Sequence, residues 1–160
     1  MSSGVRPGQG AFLLAQVGAL AAQRFAERLA PLGLTPPHAG LLRAVAASPG
    51  RSQQALATEL GVLPSTLVAL VDELEADGLL ERGRNPTDRR NYALQLTPAG
   101  HQRLREIGRV AQAHGADLLT PLGQEDRVVL ARLLEELAEH HGLTPGVHPG
   151  YRTLGGRGSG

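Results

Sequence analysis

Cysteine, lysine and tryptophan are all absent from the 160 residues. Without cysteine there is no disulfide framework, no thiolate metal site, no cysteine nucleophile and no thiol-based redox switch. The expected compartment is the cytoplasm. Two Phe and two Tyr are the only aromatics, which leaves few stacking surfaces for a flat ligand. A membrane span would need about 18 unbroken apolar residues, and no such run is present. One uncharged segment, Gly8 to Gln23, follows Arg6 as a secretory signal would. Gln16 interrupts it, however, and the pattern continues through Arg24, Glu27, Arg28 and Leu29 as an amphipathic helix does. All sixteen basic residues are arginine, set against fifteen acids for a net charge of +1. The chain as a whole carries no strong field toward nucleic acid, so any DNA-binding charge must be local. Heavy use of Ala, Gly, Pro and Arg fits a GC-rich genome, and arginine abundance alone says little about function. With 41% apolar and 19% charged residues, this is the composition of one globular domain with a real core.

The chain reads mainly as helix. Phe12 to Leu32 is rich in Ala and Leu and closes at Pro31 and Gly33. Thr35 caps a second helix that begins with Pro36 and runs to about Ala47, stopped by Ser48-Pro49-Gly50. Ser52 caps a third, with Ala55, Leu56 and Leu60 at helical spacing until Gly61. Pro64 opens a fourth, whose stripe of Leu67, Leu70, Val71 and Leu74 ends at Asp77-Gly78. The period then changes. Tyr92, Leu94 and Leu96 alternate with polar or small residues over Asn91 to Leu96, which predicts a half-buried strand, and Leu80 to Arg84 is its expected partner. The turn cluster Asn85-Pro86-Thr87-Asp88 makes the pair a hairpin with a projecting loop. Thr97-Pro98 starts a long helix with Leu104, Ile107, Val110 and Ala111 along one face. A last helix, about Gln124 to His140, aligns Val128, Leu130, Leu133, Leu134 and Leu137. The seven Gly and two Pro from Gly142 to Gly160 predict an unpacked tail.

Charge is unevenly placed on this frame. No basic residue occurs from Ser52 to Glu81, whereas Arg82, Arg84, Arg89 and Arg90 against Asp88 give the hairpin a local charge of +3. An arginine-bearing loop suits the narrow, negative minor groove. The short turn between the third and fourth helices fits a helix-turn-helix, whose second helix enters the major groove by its N-terminal end, where Ser65 and Thr66 stand. Amides and hydroxyls there can meet phosphate or base edges without formal charge.

Ser52-Gln-Gln-Ala-Leu-Ala-Thr-Glu-Leu60-Gly, Leu74-Glu-Ala-Asp-Gly-Leu-Leu-Glu-Arg82, Asp88-Arg-Arg90 and Leu94-Gln-Leu-Thr-Pro-Ala-Gly100 together resemble the winged-helix core of MarR-type transcriptional regulators. The resemblance spans about Phe12 to His140. Its sharpest part is the Asp-x-Arg wing followed at fixed distance by Leu-Thr-x-x-Gly. It implies a mainly α fold with a small β-hairpin wing. Residues 11–34 and 98–141 would be dimerisation helices and 35–97 the winged helix-turn-helix, between a flexible start at 1–10 and a tail at 142–160. It further implies a homodimeric, ligand-responsive repressor on a pseudo-palindromic operator of double-stranded DNA, with half-sites about 10 bp apart. By position Arg90 would enter the minor groove, Asp88 would brace the wing, and Arg89 would sit near phosphate. Ser52, Gln53 and Gln54 would touch backbone. Arg82 and Arg84 are either phosphate contacts or solvated strand ends. A small-molecule effector would lie between the dimer helices and the reading lobe, with His38 and Arg43 as candidate pocket residues.

The chain also departs from the family pattern. Leu63, Val68 and Ala69 stand where relatives often have Ser, then Ser or Thr and Arg, and Glu73 occupies a place where a basic residue is common. Each change removes a donor or adds a negative charge near phosphate, which predicts thinner base reading. The alternative is a helical dimer with a degenerate reading helix, serving protein interaction or ligand sequestration. No catalytic site, cofactor motif or membrane partner is expected. Six His supply no i, i+4 pair, so no metal site is expected either, short of one assembled at an interface.

Overall fold

The computed structural model describes residues 4, 6–84, 92–148 and 151. They form α1 (Gln9–Leu29), a single 3-10 turn (Ala30–Leu32), α2 (Pro36–Ala47), α3 (Gln53–Leu60), α4 (Pro64–Ala76), β1 (Leu80–Arg84), β2 (Tyr92–Leu96), α5 (Pro98–Leu118) and α6 (Gln124–His140). The first helix starts at Gln9, inside the stretch expected to be loose; the Gln9 side chain accepts a hydrogen bond from the Arg6 amide at 3.1 Å. It stops being α-helical at Ala30 because Pro31 has no amide to donate and its ring obstructs the preceding turn, so the end tightens into 3-10 geometry.

The core joins Leu41, Leu42 and Val45 of α2, Leu56 and Leu60 of α3, and Leu67, Val71 and Leu74 of α4 to Leu80 and Leu94 of the hairpin and Ile107 of α5. Strands β1 and β2 pair antiparallel from Leu80↔Leu96 to Arg84↔Tyr92. The chain entering α3 lies along the other edge of β2: the Gly50 amide donates to the Leu94 carbonyl and the Leu94 amide to the Arg51 carbonyl, with Ser52 bridged to Ala93. This extra edge alters the expected alternation. Ala93 and Leu94 are both buried, while Tyr92, at the outer end of the ladder, is exposed.

The Leu-Thr-x-x-Gly segment is the joint that fixes α5 to the lobe. The Thr97 hydroxyl accepts from the Gly100 amide at 3.0 Å and donates to the Gly78 carbonyl at 2.6 Å, while the Thr97 amide donates to the Leu79 carbonyl. Gly100 lies against that same carbonyl, where any Cβ would collide with backbone. One threonine thus caps a helix and ties it to the turn between α4 and β1.

Two regions face outward with apolar side chains. Phe12, Leu13, Leu14, Val17 and Leu20 of α1 are exposed, and α6 has no buried residue although Val128, Val129, Leu133, Leu134 and Leu137 lie along it. The expected unpacked tail does not hold for its described part. After Gly142 the chain turns back, Val147 packs against the core and Tyr151 is buried at 2% exposure, because Tyr151 finds both an apolar slot and a hydrogen-bond partner on α2. No single helix among the described residues is long and apolar enough to cross a membrane.

Candidate nucleic-acid interface

Helices α3 and α4 meet at 113° across Gly61, Val62 and Leu63, within the range of helix-turn-helix units. Gly61 makes the turn with φ of 67°, and Val62 drops into the core to pin it. No side chain caps α4 among the described residues, and Pro64 takes its first position. The opening turn therefore presents the Ser65 and Thr66 amides and hydroxyls at the positive end of the helix dipole. Ser65 is exposed, Thr66 half-buried, and Leu63 and Val68 stand beside them in solvent. Gln53, Gln54, Pro64 and Val68 line a cleft of about 160 Å³ between the starts of the two helices. Ser52 caps α3 by accepting from the Ala55 amide at 3.1 Å, which leaves its own hydroxyl proton available to an acceptor.

Arg82 and Arg84 have different surroundings. Arg84 is exposed at the outer end of β1. Arg82 is turned inward, its side chain 16% exposed. Its Nε donates to Gln53 Oε1 at 2.8 Å, Nη2 to Asp72 Oδ1 at 2.6 Å and Nη1 to Glu75 Oε1 at 3.1 Å, tying the starts of α3 and the wing to α4. It is thus neither a solvated strand end nor a cation facing outward. Gln53, expected to touch DNA backbone, is shared with this brace. Asp88, Arg89 and Arg90 lie outside the described residues.

Glu73 also departs from expectation. Its Oε2 lies 2.6 Å from His38 Nε2, so its charge is directed toward the start of α2. His38 Nδ1 accepts from the Thr35 amide at 3.1 Å. That places the proton of the neutral ring on Nε2, where it donates to Glu73. The pattern behind this was present in the sequence: His38 occupies the third helical position after Thr35, the place where a capping box carries Glu or Gln. The acids Asp72, Glu73 and Glu75 of α4 are all engaged with partners away from its opening turn, which stays uncharged.

A cavity of about 410 Å³ lies between α1, α2 and α5, lined by Phe25, Gly40, Arg43, Ile107, His114 and His148 among others. Of the two candidate pocket residues, Arg43 lines it and His38 does not, being engaged with Thr35 and Glu73. Burial, with Arg28 and Arg24 nearby, lowers the pKa of His114 below the usual imidazole value. Burial and Arg43 lower that of His148. Sequence reasoning missed His114, His148 and Phe25 as lining residues, and their convergence depends on tertiary packing between distant segments.

The MarR family model matches residues 32–91. A putative transcriptional regulatory protein for the hcr operon of Thauera aromatica is 39% identical over 113 residues, covering 71% of this chain and 68% of that protein. The chain belongs to the MarR family. The HTH-type transcriptional repressor Rv2887 of Mycobacterium tuberculosis is 31% identical over 126 residues, covering 79% of this chain and 91% of that protein. Its structure in complex with p-aminosalicylic acid has a TM-score of 0.65 at 30% identity, over 80% of this chain and 97% of that one. The transcriptional repressor CouR, bound to a 23-mer DNA duplex, has a TM-score of 0.74 at 33% identity, over 86% of this chain and 98% of that one. The MarR-type lobe here is the α2–α4 unit with its hairpin.

Proposed function

We propose that this MarR-family regulator works in the cytoplasm as a homodimeric repressor that binds a pseudo-palindromic operator and responds to a small effector. The observation that carries the reading is the uncharged, outward opening turn of α4, with the acids of that helix tied elsewhere and Arg84 exposed at the outer end of β1. Ser65 and Thr66 read base edges in the major groove, and Ser52 and Gln54 meet backbone. Gln53 does so while held by Arg82, which positions rather than contacts. Arg84 and Arg89 neutralise phosphate, and Arg90 enters the minor groove with Asp88 bracing the wing. The apolar residues of α1 and α6 meet those of a second copy. The role is binding alone, with no catalytic residue, cofactor or metal.

The effector site is the cavity holding Arg43. Its lining is mainly apolar with one arginine, which suits a small aromatic carboxylate, and Rv2887 was solved with such a compound. An effector acts through its differential affinity for the two dimer arrangements, one matching the operator and one not.

The test is a titration of the DNA upstream of its own gene and of a scrambled duplex at two salt concentrations. Specific binding should exceed random binding by about a thousandfold or more, with log K falling by about 0.9 per phosphate neutralised as log salt rises. Equal, weak binding to both duplexes would instead favour the dimer whose reading helix, with Val68 and Ala69 in place of donors, no longer selects sequence.

A further inference from the structure

Four contacts join the segment after α6 to α1 and α2 beside the effector cavity. Tyr151 is buried and its hydroxyl donates to the Pro37 carbonyl, in the first turn of α2, at 2.6 Å. The ring lies against Gly40, where a Cβ would stand 2.6 Å from Oη. The Gly146 carbonyl accepts from Arg43 Nη2 at 2.8 Å. The His148 ring sits 5.8 Å from that of Phe25 and forms part of the cavity wall. Glycine inside a helix is less favourable than alanine because it loses more backbone freedom. In a chain that fills its helices with alanine, Gly40 has a clear physical use as the seat of Tyr151.

We propose that residues 143–148 and Tyr151 are a built-in competitor for the cavity, which an entering anion displaces through Arg43. This rests on reading the cavity as the effector site. Arg43 is the one arginine among the described lining residues, and it is engaged by a neutral carbonyl. A carboxylate in the cavity forms a charge-assisted hydrogen bond roughly twice as strong as a neutral one. It therefore draws Arg43 from Gly146 and loosens the polar tie that holds the segment. Because the segment runs directly from α6 onto α2, its release also frees the reading lobe from the end of the dimer arm. A segment docked about nine-tenths of the time weakens apparent affinity for a competing ligand about tenfold, in proportion to the competent fraction.

The experiment uses the full chain, with sodium salicylate as the probe. Calorimetric titration is run on the wild type, Tyr151→Phe and Tyr151→Ala, with hydrogen–deuterium exchange across residues 143–148 before and after saturation. Tyr151→Phe keeps the ring and loses only the bond to Pro37, so it should bind about two- to threefold more tightly, and Tyr151→Ala about tenfold. Saturating salicylate should raise exchange of the wild-type segment toward the level of Tyr151→Ala. Salicylate binding with equal affinity in all three chains, or leaving the segment's exchange unchanged, overturns the competitor while keeping the cavity as a binding site. Salicylate binding to none of them removes the cavity reading and the competitor with it.

Discussion

Leucine meets opposite surroundings in two regions of this molecule. In the reading lobe Leu41, Leu42, Leu56, Leu67, Leu74, Leu80 and Leu94 are 0–1% exposed, whereas on the arms Leu13, Leu14, Leu133, Leu134 and Leu137 are 39–48% exposed. The lobe's core is closed within this chain, with Leu29 of α1 and Ile107 of α5 completing it, and Arg82 and Glu73 are tied to partners inside the lobe. The arms are amphipathic helices whose apolar stripes are only partly covered by this chain. With ten such residues half-exposed, on the order of 10 kcal/mol of apolar burial per chain remains to be realised, before the costs of association. The lobe is therefore largely satisfied within one chain, whereas the arms carry the apolar surface that the proposed second copy would cover.

The largest expected effect comes from breaking the arms alone. Leu133→Glu should convert the protein from dimer to monomer in sedimentation equilibrium and weaken operator binding by about a hundredfold or more, since two linked lobes lose their effective concentration. Far-ultraviolet circular dichroism should keep the lobe's helical signal. Leu67→Ala makes the opposite cut. It should lower unfolding stability by about 3 kcal/mol through the cavity it leaves. A Leu133→Glu chain that still sediments as a dimer would show that the α6 stripe is not the contact, and the contrast between the regions would lose its meaning.

A smaller effect separates the two strand arginines inside the lobe. Arg82→Gln leaves Asp72 and Glu75 without their shared cation and should cost about 1–2 kcal/mol in denaturant unfolding, discounted because both carboxylates remain partly exposed. Arg84→Ala should change stability by less than about 0.5 kcal/mol. It should nevertheless flatten the salt dependence of operator binding by about one phosphate per subunit. If Arg84→Ala left that slope untouched, the outer end of β1 would not approach DNA.

The helix boundaries could be read from the sequence because they depend on local chemistry. Thr35-Pro36, Ser52, Pro64 and Thr97-Pro98 each start a helix by capping or by removing an amide that would otherwise lack a partner. The lobe's location followed from the same local signals and from the register between wing and joint. What could not be read were side-chain destinations that depend on distant segments. Arg82 and Arg84 look alike in sequence, yet only one lies within reach of Gln53, Asp72 and Glu75. Glu73 reads as a repulsive charge until α2 brings His38 to it. Glycine content after residue 141 suggested a loose tail, but one Tyr with a matching gap at Gly40 is enough to dock its described part.

The docked segment also offers the smallest and most diagnostic comparison, because it lies between the arms and the lobe and belongs to neither. Burial and Arg43 lower the pKa of His148 in the folded state, so the folded protein resists its protonation while the unfolded or undocked segment accepts a proton near pH 6.5, about the ordinary value. Stability rises with pH wherever the open state binds more protons. Docking is therefore strongest above that value and weakens as pH falls through it. Hydrogen exchange at residues 143–148, corrected for intrinsic rates, should accelerate between about pH 7.5 and 5.5, spanning the imidazole range, while amides in the lobe core around Leu67 change little. Replacing His148 by Gln should flatten the response. His114, whose pKa is lowered by burial with Arg28 and Arg24 nearby, titrates in the same direction but sits on α5. A response that survived His148→Gln would therefore assign the sensitivity to the joint between α1 and α5 instead of the docked segment.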